Sequence, residues 1–124
     1  MKTNQEVLDF FGKTIINNVY DDALNHFVQL KDGTTKWGTG KEYTDVISKL
    51  DKNEQDLLFK YLKETIGTTI FGLLGFFEEN PEYKIIYEEN GQQVDLNEIS
   101  EMLKAEPIIE DGWIDRFSKE VGKG

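Results

Sequence analysis

Apolar residues recur at Leu8, Phe11, Ile15, Val19, Ala23, Phe27 and Leu30, the three-to-four spacing of one helical face. Thr3 and Glu6, ahead of this run, have the spacing of a capping box, in which each side chain accepts a hydrogen bond from the other's backbone N–H. The pattern predicts a long amphipathic helix that bends or breaks at Asn17-Asn18, because asparagine is a modest helix former. Residues 31–40 lose the period and carry three glycines and three threonines, which marks an exposed connection with Trp37 inside it.

Thr39 and Glu42 repeat the capping spacing before Tyr43, Val46, Ile47 and Leu50, which predicts a short helix of about three turns. Asp51 and Glu54 open another. It carries Leu58, Leu62, Ile66, Ile70, Leu73 and Phe77 on one side with Leu57 and Tyr61 beside them, a broad and deeply buried face for a central helix. Gly67, Gly72 and Gly75 interrupt that segment at about 1 kcal/mol each relative to alanine. They point first to close helix crossings, and otherwise to a kink or break. Asn80 before Pro81 ends the helix, since the residue preceding proline is driven out of the helical region.

The pattern then changes to β. Tyr83–Glu89 and Gln92–Leu96 flank Asn90-Gly91, which supplies the positive φ angles of a type I′ turn. With a two-residue loop, Tyr87 falls opposite Val94 and Ile85 opposite Leu96, so the apolar residues of both strands share a face that must lie on the helices. Asp95 and Glu98 precede Ile99, Met102 and Leu103, a short helix ending near Ala105. Pro107 restarts the chain, and Trp113, Ile114, Phe117 and Val121 form a closing helical stripe before Gly122. The fold class expected is mainly α (α+β with one small β-hairpin). It is a compact bundle of about five helices with a two-stranded antiparallel ribbon between residues 82 and 96, in a single globular domain, 1–124.

Composition supports this size of core: of 124 residues, 38% are hydrophobic. With no cysteine, the chain has no disulfide, thiolate metal site or cysteine nucleophile. That fits a reducing compartment, and the cytoplasm is expected. No export signal is read at the N-terminus, and the most apolar segment, Ile66 to Phe77, is far short of the roughly 20 residues of a spanning helix. Fourteen Lys plus Arg against 24 Asp plus Glu leave a net charge of −10, which disfavours nucleic acid and anionic membranes and leaves a basic protein as the possible partner.

Chemistry is sparsely signalled. His26, the one histidine, follows Asp22 by four residues on a helical face, a spacing that can begin a metal site or a proton-transfer pair, but further ligands cannot be placed. Ser48, Ser100 and Ser118 lie in no nucleophile elbow. Asp21-Asp22, Glu78-Glu79, Glu88-Glu89 and Glu110-Asp111 are adjacent carboxylates, and neighbours in sequence point apart on a helix and to opposite faces of a strand. Gly40-Lys41 resembles a phosphate loop only in part, because Glu42 stands where serine or threonine belongs and Thr35 where the first glycine would be. Trp113 belongs to an apolar stripe, whereas Trp37 sits in a polar loop where a half-exposed aromatic can meet a partner. Arg116, the one arginine, is expected to pair with a carboxylate.

The reading favoured is therefore a small acidic cytosolic protein-binding domain, of the inhibitor, immunity-type or adaptor kind, acting on a more basic partner. Trp37, Asp21, Asp22, Glu78, Glu79, Glu88 and Glu89 are its candidate contacts, with no catalytic residue, metal or cofactor assigned. One alternative is a ligand- or metal-binding enzyme using carboxylates and His26; another is a self-associating module that uses the central helix between copies.

Overall fold

The computed structural model describes residues 2–119. It is mostly helical with a two-stranded antiparallel ribbon: α1 (Asn4–Ile15), a π-turn (Ile16–Tyr20), α2 (Asp21–Asp32), α3 (Gly40–Ile47), α4 (Lys52–Glu79), β1 (Ile86–Glu89), β2 (Gln92–Asp95), α5 (Leu96–Ile99) and α6 (Trp113–Phe117). A single 3-10 turn, Leu103–Ala105, lies between α5 and α6.

The capping box opens α1 as its spacing predicts: Glu6 N donates to Thr3 Oγ1 at 3.1 Å and Thr3 N to Glu6 Oε1 at 3.0 Å. The run does not break at Asn17-Asn18 but widens into the π-turn and continues as α2. This relocates the buried stripe. Residues spaced by four drift about 40° per step around an α-helix, so Ile16, Tyr20 and Leu24 would wander off one face. A turn closed by i→i+5 bonding, here Asp21 N to Ile16 O, takes up the drift, and all three are buried. Val19, expected on the inner face, is instead 48% exposed, and Ala23 is exposed with it.

The core gathers Val7, Leu8, Ile16, Tyr20, Leu24, Ile70, Leu74, Leu96, Leu103 and Trp113. Trp113 is fully buried, edge-on to Phe11 at 5.6 Å, and its ring lies over Gly12, where an added Cβ would come within 2.5 Å of three ring atoms. Arg116, one turn along α6, pairs with Asp9 of α1 at 3.1 Å, as expected for the lone arginine. α6 spans only five residues and stops at Phe117, where Ser118 turns extended, so the helix expected through Val121 is shorter than its stripe suggests; Val121 and Gly122 themselves lie outside the described residues.

α4 opens on the predicted Asp51–Glu54 capping box and runs unbroken to Asn80 before Pro81. Its inward face is narrower than its sequence suggests. Gly67, Ile70, Leu74 and Gly75 are buried, but Leu57 is 67% exposed, Tyr61 62% and Leu73 54%, because these three lie on the side turned away from the core, which the first half of the helix meets through Phe59 and Leu62. That half leans on α2 through Phe27 and Phe59, stacked at 5.8 Å. The three glycines are not close crossings: a Cβ on Gly67 or Gly75 would make ordinary contact, and one on Gly72 would meet nothing within 4 Å.

The hairpin has the predicted register, Tyr87 opposite Val94, with Leu96 N donating to Ile85 O at 3.0 Å. Asn90 and Gly91 both take positive φ, as the turn demands. Lys2 ties the ribbon to the start of α1: its Nζ donates to Tyr87 Oη at 3.2 Å and reaches Glu89 Oε1 at 3.4 Å, and its backbone N–H donates to Glu89 Oε2. Two expected short helices differ, one at its start and both in length. Thr39 makes no side-chain cap on α3, which runs about two turns instead of three. Asp95 caps Asn97 N, and α5 stops at Ile99, leaving Met102 exposed.

Two outcomes follow from this packing. Gly12→Ala forces the buried indole of Trp113 to move and is expected to destabilise by about 1–3 kcal/mol, whereas Gly72→Ala, in open space, gains up to about 1 kcal/mol; urea unfolding of both measures the contrast. Burial raises the Glu89 carboxyl, but the charge and hydrogen bonds of Lys2 outweigh this and hold it below the usual range, and bonding to Thr3 lowers that of Glu6. A lowered carboxyl stabilises the fold above its unfolded pKa and loses that contribution as pH falls through its folded value. Unfolding midpoints measured between about pH 6 and pH 3 should therefore fall less steeply in Glu89→Gln than in the parent chain.

Candidate functional site

The candidate contacts fall on four segments: the start of α2, the loop between α2 and α3, the end of α4 and the first strand of the ribbon. The corner between α2 and α3 carries Trp37. Its loop is fixed by Trp37 N donating to Thr35 Oγ1 at 3.1 Å, Gly40 N to Trp37 O at 2.9 Å, and Thr44 Oγ1 to Leu30 O at 2.6 Å. These hold the Trp37 ring stacked on Tyr43 at 5.5 Å and tilted against His26 at 5.0 Å, while Trp37 stays 47% exposed. His26 is thus an aromatic neighbour of Trp37 on an exposed surface, and among the described residues no group of three or more His, Cys, Asp or Glu is placed to hold a metal.

The adjacent carboxylates separate as helix and strand geometry requires. Asp21 turns inward, 7% exposed, and accepts from Ser118 Oγ at 2.6 Å and Lys119 N at 3.0 Å, so it fastens the end of the described chain. Asp22 faces solvent. Glu78 accepts from Lys104 N at 2.9 Å, anchoring the 3-10 turn to α4, and Glu79 is exposed. On the ribbon Glu88 accepts from Gln93 Nε2 at 2.8 Å and Glu89 is engaged by Lys2. Asp22 and Glu79 have no hydrogen bond or ion pair among the described residues, so of the six candidate carboxylates these two are uncommitted.

A further surface was not singled out by sequence pattern. From Thr65 through Phe77 the chain carries no charge, and the outward positions of this part of α4 are Thr65, Thr68, Thr69, Gly72, Leu73 and Phe76, all exposed. In a chain where 31% of residues are charged, an exposed helical face without any is unusual. Leu57 and Tyr61 extend it toward the helix start, beside a groove of about 630 Å³ lined also by Leu50, Glu54, Leu58, Lys60 and Glu64. At the other end Phe76 is 5.5 Å from Tyr83 and edge-on to Phe77 at 5.4 Å. From Leu57 to Phe76 the face is roughly 28 Å long at the α-helical rise. The signal available in the sequence was the gap in charge, hidden because an uncharged stretch also reads as core.

No model of a known protein family, no curated protein and no solved structure matches the chain.

The adjacent acids Asp21 and Asp22 are separable by mutation. Asp21→Ala removes the buried carboxylate that accepts from Ser118 Oγ and Lys119 N and is expected to cost about 1–3 kcal/mol, while Asp22→Ala should stay within about 0.5 kcal/mol of the parent in thermal unfolding.

Proposed function

We propose that the protein is a protein-binding domain that docks on a more basic partner, as an inhibitor, immunity-type or adaptor protein does. The observation that carries this reading is the exposed face of α4, uncharged from Thr65 through Phe77, on a body whose net charge is −10. Apolar area left in water on one continuous helix face is a feature of interaction surfaces, and long-range attraction from surplus carboxylates speeds encounter with a cationic protein. The aromatic corner at Trp37 and Tyr43 adds a second half-exposed patch of the residue types enriched in interface centres. The absence of cysteine suits a reducing compartment, and the cytoplasm is the location proposed.

The immobilised protein should retain a basic protein in stoichiometric amount from native lysate at about 0.1 M salt and release it near 1 M, where the screening length falls from about 10 to about 3 Å. Retention of nothing stoichiometric, or retention indifferent to salt, would sink the reading.

A further inference from the structure

Resting on the reading of a basic partner, we infer that the α4 face receives an amphipathic helix of that partner, apolar along one side and carrying lysine or arginine along its flanks. Three features of the face select this occupant. Its middle, Thr65, Thr68, Thr69 and Gly72, is small and uncharged, and nothing lies within 4 Å of a Cβ built on Gly72. Its ends are large: Leu57 and Tyr61 at one, Leu73 and Phe76 at the other, exposed by 67%, 62%, 54% and 44%. Small residues between bulky ends form a saddle along which a second helix axis can approach closely, and the length of about 28 Å corresponds to roughly five helical turns.

The third feature is charge. Projected at 100° per residue, Glu54, Glu64 and Glu79 fall on or beside this face, and all three are exposed. Two lysines border the face: Lys60 at the edge by Leu57, and Lys104, whose Cδ lies 3.4 Å from a Cβ built on Gly75 and whose Nζ is already paired with Glu78 at 3.8 Å. A helix laid along α4 therefore meets carboxylates at both ends and near the middle, and cationic flanks answer them. A second copy of this chain answers them badly, since each copy has a charge of −10 and brings its own carboxylates. Helix-in-groove recognition draws its affinity from apolar anchors at i, i+3, i+4 and i+7 and its selectivity from the flanking charges.

Photo-crosslinking in native lysate tests this, with benzoylphenylalanine replacing Thr69 in one protein and Trp37 in another, and mass spectrometry of the joined peptides. The expected result is a crosslink from position 69 to a peptide of net positive charge with apolar residues at helical spacing. Its yield should fall at least tenfold in a Leu73→Glu background whose circular dichroism and thermal midpoint match the parent. Crosslinks from position 37 alone overturn the α4 assignment and leave the partner-binding reading standing. Crosslinks from position 69 to this chain's own peptides, to an acidic or non-helical segment, or with a yield indifferent to Leu73→Glu, also overturn it. Crosslinks from neither position remove both.

Discussion

The fold depends on the seat of Trp113 against Gly12. α1 and α6 stand at opposite ends of the sequence, and α6 is only five residues long, too short to be helical without support from its neighbours. What fixes it is a fully buried indole lying on a glycine, closed at one edge by Phe11 and flanked by the Arg116–Asp9 ion pair. The indole N–H has no acceptor among the described residues, a cost of about 1–3 kcal/mol that the apolar burial of the ring must exceed. Any side chain at position 12 would lift the ring and with it the segment that reaches Asp21. The end of the described chain is thus held twice, by shape at Gly12 and by hydrogen bonds at Asp21.

The π-turn serves the same packing. Gly12, Ile16, Tyr20 and Leu24 lie four apart, a spacing that a uniform α-helix cannot keep against a single core. Widening one turn keeps them aligned and turns Val19 and Ala23 outward. The misassigned positions in this helix have that one origin, since a regular period was applied across a place where the period changes. Asn17 and Asn18 marked the spot, and composition alone could not distinguish a break from a widening.

Elsewhere, legibility followed the range of the interaction. The Thr3 and Asp51 capping boxes, the Asn80-Pro81 stop and the Asn90-Gly91 turn with its register are decided within a few residues, and each was readable. Thr39, with the same spacing to Glu42, makes no cap because the loop before α3 is bound up in its own contacts at Thr35 and Gly40. Gly12 gave no local sign of its role, since its partner lies about a hundred residues away, while Gly67, Gly72 and Gly75 advertised crossings that are not there. Asp21 and Asp22 are alike as letters; only the return of Ser118 and Lys119 separates an anchor from a surface acid.

The outer face of α4 is hardest to account for by stability. Thr65, Thr68 and Thr69 are β-branched and Gly72 is the poorest ordinary helix former, yet all four are exposed in a helix of 28 residues. Alanine, lysine or glutamate at these positions would favour the helix by a few tenths to about 1 kcal/mol each, and the charged choices would also add solubility. Elsewhere on α4 this is what stands: Lys52 and Asp56 form an i,i+4 pair at 2.9 Å, and Lys60, Lys63 and Glu64 follow. The change from a charged helix surface to a smooth uncharged one occurs within a single continuous helix and under the same solvent. Helix propensity and solubility both oppose it, so neither accounts for this face.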